Sequence, residues 1–271
     1  MRNPRGYVSL ILIILFLSLS CSTVPITGRK QFSILPSSAM LSMSLQQYDE
    51  FLKTNKISRN KEQTQMVKKV GKRIQMAVEQ YFTDNNMSHE LKDYKWEFNL
   101  IESKEKNAWA MPGGKVVIYE GILPIAKDEA GLAVVMGHEI AHAIAKHGNE
   151  RMSQGLVTQM GGMAISKALE EKSDKTKQLW MTVFGVGAQY GVILPFSRLQ
   201  ETEADHLGLI FMAIADYDPN EAVGFWERMA QTKDGQVPPE FLSTHPSDET
   251  RIRKIKESIP KAKQYYNRSA K

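Results

Sequence analysis

The sequence predicts an α+β fold, mainly helical with a small β-sheet, and three observations carry that expectation. Val67, Val70, Ile74, Val78 and Tyr81 recur at the spacing of one face of an α-helix. Tyr94, Trp96, Phe98 and Leu100 alternate with Lys95, Glu97 and Asn99, the period-two pattern of a half-buried strand. An apolar helical run, Ala130 to Met136, leads straight into His138-Glu139-Ile140-Ala141-His142.

Taken from the N-terminus, Arg2 and Arg5 precede an apolar stretch, Tyr7 to Leu17, followed by Ser18-Leu19-Ser20-Cys21. A basic start, a short apolar core and small residues before a cleavage point read as a secretory signal over residues 1–20. The apolar run is short for a membrane span. Cys21 is the one cysteine, so no disulfide can form within the chain. Its position at the end of the signal resembles a bacterial lipidation site, loosely, since Ser18 stands where Leu is commonest. The alternatives to a lipidated cysteine are an ordinary signal with an incidental Cys or an uncleaved anchor. Pro25, Gly28 and Pro36 among polar residues of 22–37 read as a tether, so that 21–37 is expected to be a lipidated cysteine and its tether. The remainder, 38–271, is long enough for one domain with a substantial core.

That domain should begin with two helices, roughly 38–55 and 61–82. The alternating strand follows. Asn107 to Met111, a turn at Pro112-Gly113-Gly114, and Val116 to Tyr119 then read as a hairpin. Asp128 is a candidate N-cap for the helix that carries the His-Glu motif.

On that helix His138 and His142, four apart, point the same way and can grip one Zn²⁺. Glu139 is turned about a quarter of a turn away, where it can act as a general base on water activated by the metal. Two imidazoles and a carboxylate in so apolar a run need partners, and a metal supplies them. A catalytic zinc takes a third protein ligand and keeps an open position. Glu201 and Asp205 are again four apart; the first can complete the metal site while the second orients a ligand histidine. The bland alternative for the same segment is an acidic helix start answering the helix dipole. Glu203 falls on the opposite side, solvated or in a supporting position. A pattern with Gly third and His sixth after His142 is excluded, because Ala145 and Gly148 stand there. His147 then reads as a polar group near a helix end, with Gly148-Asn149 as the stop.

Residues 143–200 hold Gly155, Gly161, Gly162, Gly185, Gly187 and Gly191 in apolar runs, Leu156 to Leu169 and Leu179 to Leu194. Close helix packing is the expected use, with an exposed apolar hairpin as the alternative. Helices over Glu221–Met229 and Asp248–Ile259, the second stopped by Pro260, complete the chain. Between them His245 falls in a loop. A net charge of +5, two of whose cations lie in the leader, and the lack of a basic cluster interleaved with aromatics argue against nucleic-acid binding.

Asn107 to Gly114, His138 to Met152, Gly187 to Arg198, Glu201 to Asp205 and Thr244-His245-Pro246 together make the chain resemble gluzincin peptidases of the prenyl-protease and HtpX-like family. The likeness is to the bacterial lipoprotein branch, related to the mitochondrial Oma-type and outer-membrane assembly-maintenance proteases. It implies a zincin-like metallopeptidase domain and a zinc-dependent endopeptidase with one Zn²⁺ per subunit on His138, His142 and Glu201. Glu139 would be the general base and Asp205 the group behind a ligand histidine. The resemblance further implies that Asn107, Ala108, Trp109, Ala110 and Met111 bind substrate as an edge strand, against the simpler reading of a hairpin that caps the helices. His245 would act at the zinc, as oxyanion stabiliser or as a latch on the open position, with Arg251 supporting the same charge. The partners implied are unfolded or misassembled envelope polypeptides, and a membrane reached through lipid on Cys21 at the periplasmic face of the outer membrane. The rival class is an outer-membrane assembly factor with latent or secondary proteolysis.

Overall fold

A computed structural model of the chain describes residues 21–232, 240–245 and 249–266; the leader over residues 1–20 lies outside the described residues. In chain order the main elements are β1 (Cys21–Thr23), β2 (Lys30–Phe32), α1 (Ser37–Thr54), α2 (Lys61–Asp84), β3 (Glu97–Ile101), β4 (Ala108–Met111) and β5 (Lys115–Tyr119). There follow α3 (Glu129–Ile144), α4 (His147–Ala168), α5 (Asp174–Ala188), α6 (Leu194–Ile214), α7 (Glu221–Gln231), α8 (Glu240–Thr244) and α9 (Glu249–Tyr266). This is the mainly helical α+β composition that the sequence predicts. The chain divides into two compact units, residues 41–145 with 197–271, and residues 1–40 with 146–196.

In the larger unit the strand order is β3-β5-β4, with β3 parallel and β4 antiparallel to β5. The expected hairpin is present, and β4 is an edge of this sheet. Val67, Val70, Ile74, Val78 and Phe82 form the buried face of α2. Gly71 lets that face approach β3, since a Cβ there would stand 2.4 Å from the Phe98 ring. The expected half-buried strand is buried on both sides from Phe98 to Ile101. Its polar Asn99 is accommodated by hydrogen bonds to the Tyr48 hydroxyl (2.6 Å) and to Glu97 (2.9 Å). Tyr48 of α1 packs with Ile101, Val117 and Tyr119, and Trp109 and Met111 of β4 rest against that cluster.

Helix α3 is capped as expected, the Asp128 side chain accepting from the Gly131 N–H at 2.9 Å. Every residue from Gly131 to Ile144 is buried, so its surface is apolar all round except where the motif falls. The helix ends earlier than the Gly148-Asn149 stop implied. Lys146 takes a left-handed φ of 58°, and His147, Gly148 and Asn149 open α4 instead of closing α3. The predicted stop at Pro260 is also corrected, because α9 runs through it to Tyr266. Buried Ile259 and Ala262, with the Tyr265 ring 5.9 Å from Tyr81, hold the continuation against the lost N–H.

In the smaller unit, the segment read as a tether carries a two-stranded antiparallel sheet that places position 21 opposite Phe32. Gly28, at φ 69°, turns the chain between the strands. Glu150, fully buried, receives both ends of the Arg29 guanidinium at 2.8 and 2.9 Å. The Asn149 amide donates to the Leu35 carbonyl at 2.9 Å. Helices α4 and α5 form a hairpin in which Gly161 and Gly162 face Phe184. The expected general use of glycine for close packing is not found, for nothing stands near Gly155, Gly185, Gly187 or Gly191. Both apolar runs instead expose large side chains, among them Met160, Met163, Leu179, Trp180 and Tyr190.

Candidate metal centre

Four side chains from three elements converge in the larger unit. His138 and His142 come from α3, Glu201 from α6, and His245 follows α8; one ligand atom from each lies within 4.8 Å of the others. All four are buried. The two Nε2 atoms of His138 and His142 are 3.1 Å apart, and Glu201 reaches them with Oε2 at 3.3 Å and Oε1 at 3.2 Å respectively. Imidazole nitrogen and carboxylate oxygen are the donors that suit a zinc-like divalent ion. Two imidazole lone pairs facing one carboxylate need a cation between them, so the set fits a metal.

Close approach of two helix backbones makes this possible. A Cβ on Gly137 would stand 2.9 Å from the Gly208 carbonyl oxygen, and one on Gly208 would stand 2.8 Å from the His138 nitrogen. Here α3 and α6 cross nearly in contact, which brings Glu201 and Asp205, one turn apart on α6, over the first histidine.

Asp205 accepts from Nδ1 of His138 at 2.9 Å, leaving Nε2 to face Glu201. Arg251 of α9 clamps Asp205 with Nε and Nη2, each at 2.8 Å, and reaches Glu201 Oε2 with Nη1 at 3.1 Å. Its guanidinium lies 3.5 Å over the Trp226 ring. Burial alone would raise the Asp205 carboxyl, but the Arg251 charge and the His138 hydrogen bond hold it below its ordinary value. Burial opposes the charge of Glu201 too, yet the histidines around it push its pKa well down. For His138 burial acts downward, and the Asp205 hydrogen bond and charge, with help from Glu201, lift it to about 9. Protons and a metal therefore compete for the same electron pairs.

Glu139 is buried on the same helix, its Oε1 3.5 Å from His245 Nε2. His245 stands closer in than a bystander, Nδ1 lying 3.0 Å from both Glu201 oxygens and 3.2 Å from His138 Nε2. Phe241 supports its ring at 4.9 Å. Pro246, beside it in sequence, lies outside the described residues. Glu203 is buried, which removes the solvated option considered for it. Asn107 leads into β4, whose Ala108 is buried against β5 while Trp109, Ala110 and Met111 are half-buried. Position 21 is in β1, in the smaller unit.

Arg251 is expected only from the family resemblance, as a support for charge at the zinc, and Trp226 is not expected at all. The apolar face of α7, with Ala222, Phe225, Trp226 and Met229 buried, was visible, but nothing in it announced a ring beneath a guanidinium.

A family model described as peptidase family M48 matches residues 68–259. A mitochondrial metalloendopeptidase OMA1 of Schizosaccharomyces pombe is 41% identical over 174 residues, 64% of this chain and 49% of the relative. Its namesake in Saccharomyces cerevisiae is 30% identical, over 99% of this chain and 78% of the relative. A beta-barrel assembly-enhancing protease of Escherichia coli is 31% identical over 57% of this chain and 32% of the relative. The chain thus spans about half the length of the fission-yeast relative and about a third of the bacterial one. The matched segment contains every residue of the converging set, and the chain belongs to peptidase family M48, its mainly helical α+β body being the zincin-like metallopeptidase domain of that family.

Proposed function

We propose that this chain is a zinc-dependent endopeptidase of the cell envelope, acting in protein quality control on unfolded or misassembled polypeptides. The observation that carries the reading is the convergence of His138, His142 and Glu201 with Glu139 beside them. Zinc in that set supplies Lewis-acid polarisation of a peptide carbonyl and acidifies water. The chain's own residues do the rest. Asp205, held ionised by Arg251, fixes the tautomer of His138. Glu139 takes the proton from the attacking water and hands it to the leaving amine, since it is the carboxylate between the two ligand histidines on their own helix, its Oε1 3.5 Å from His245. Residues 107–111 offer an extended peptide the outer edge of β4.

The relatives' printed names as metalloendopeptidases support proteolysis, and the beta-barrel assembly-enhancing protease among them supports an envelope setting. Those names point to more than one compartment, mitochondrial for some. The leader followed by Cys21 favours a lipid-anchored bacterial envelope protein, on the periplasmic face of the outer membrane. Glu139→Gln should keep its metal while cleavage of unfolded polypeptide falls about 10²–10⁴-fold, the span expected for a lost general base. Metal analysis alongside the cleavage assay checks this, and wild-type cleavage by the variant would refute the assignment.

The position of His245 favours a second reading, in which proteolysis is latent. A fourth donor, Nδ1 of His245 beside both Glu201 oxygens, closes the set, as in a structural rather than a catalytic site. As a latch, His245 must leave before substrate enters. His245→Ala should then raise cleavage several-fold above wild type. A fall would assign the residue to oxyanion stabilisation instead.

A further inference from the structure

We propose that the α4–α5 hairpin is itself a membrane contact, lying in the interface of a lipid bilayer, separate from any lipid on Cys21. On α4 the exposed Met152, Leu156, Met160 and Met163 fall at i, i+4, i+8 and i+11, one stripe of a helix. On α5 and the turn after it, exposed Leu179, Val183, Val186 and Tyr190 fall at i, i+4, i+7 and i+11. Trp180 beside them is 54% exposed and Tyr190 69%. Two apolar stripes open to water on adjacent legs exceed the scattered apolar residues of an ordinary surface.

Three features favour a bilayer as the occupant over a protein. First, no acidic or basic residue occurs from 178 to 197, and every residue of that segment is exposed or half-buried. Lys175 and Lys177 on one side and Arg198 on the other flank it, an arrangement that suits anionic headgroups. Second, the exposed rings are Trp and Tyr, which seat with one end apolar and one end wet. Third, the apolar leader enters the chain at β1, within the same unit, where position 21 pairs opposite Phe32. Phe32 in turn lines an apolar hollow of about 570 Å³ with Val157, Gly161, Phe184, Val192 and Phe196. Whatever holds the N-terminus at position 21 to a membrane therefore acts on the unit that carries the hairpin.

The turn between the legs carries Glu170, Glu171 and Asp174 with Lys167, Lys172, Lys175 and Lys177. Lys167 pairs with Glu170, and Lys177 with Asp174 at 3.7 Å. A tip so charged does not enter hydrocarbon, so the hairpin lies flat, its stripes about 5–10 Å into the headgroup–acyl boundary.

Trp180 is a built-in reporter. The full chain is reconstituted in vesicles of phosphatidylcholine and phosphatidylglycerol with brominated or plain acyl chains. Subtracting the emission of Trp180→Phe isolates Trp180 from Trp96, Trp109 and Trp226. The expected result is a blue-shifted Trp180 signal that is lost in brominated vesicles. The triple variant Leu179→Ser, Val183→Ser, Val186→Ser changes only exposed positions; it should keep its metal and its association through the N-terminus while Trp180 escapes quenching. Vesicle-bound wild type whose Trp180 emission is equal in both lipids overturns the proposal. So does quenching that persists in the triple variant, or a Trp180 shielded from bromine by a second copy of the chain.

Discussion

Asp205 accepts the Nδ1 proton of His138 and so decides which imidazole nitrogen faces Glu201. An asparagine there would present either an oxygen or an amide, and the tautomer would no longer be enforced. Asp205→Asn should therefore weaken metal binding by about 10–100-fold, read by titration against a competing chelator, while Glu139 stays in place. Unchanged affinity would show that the hydrogen bond does not tune the ligand. At this scale His138, Glu139, His142, Glu201 and Asp205 were legible because each group shares one helix, where a three- or four-residue spacing is already a geometry. Trp226 was not, and Arg251 was reached only through the family resemblance. They meet Asp205 and each other from α9 and α7, and no spacing along the chain encodes a contact made only when separate helices pack.

The elements hold the site by two contrasting devices. Gly137 and Gly208 let α3 and α6 cross backbone to backbone, where no flexible side chain can give way. Gly208→Ala should force the helices apart, cost about 1–3 kcal/mol as overpacking does, and lower metal occupancy more than melting temperature alone would suggest. Metal content and thermal melts of the variant check both parts. The sheet uses polar chemistry instead. Burial pushes the Glu97 carboxyl upward, but hydrogen bonds from Lys115, Tyr48 and Asn99 outweigh it and hold the pKa below the ordinary value. A carboxyl depressed in the folded state adds stability that is present above its unfolded pKa and lost as pH falls through the folded one. Glu97→Gln should accordingly flatten the acid limb of the stability curve below about pH 4.5, seen as a smaller drop in Tm on acidification than in wild type. Alternation predicted the strand and its partner hairpin well. It missed that Asn99 is buried, because α1 covers the face that period-two reasoning leaves to water.

Across the whole molecule, the residues that could hold a metal all lie in one unit and the exposed apolar stripes in the other. A ligand stabilises what binds it. Chelation should therefore raise amide exchange in residues 131–144 and 200–213, with little change in 150–186, as followed by exchange mass spectrometry with and without metal. Equal loss of protection throughout would mean that the two units open as one. The hairpin was legible from its apolar runs, whereas its exposure stood only as the alternative to close packing, since hydropathy records what a residue avoids and not what covers it. The same interval separates His142 from Glu201 in sequence. Closing a loop of that kind costs entropy that grows only with the logarithm of its length, about 0.6 kcal/mol per doubling. An insertion or deletion in the excursion should therefore carry little thermodynamic penalty for the candidate metal centre, so that where the chain is delivered and what the centre does can be altered separately.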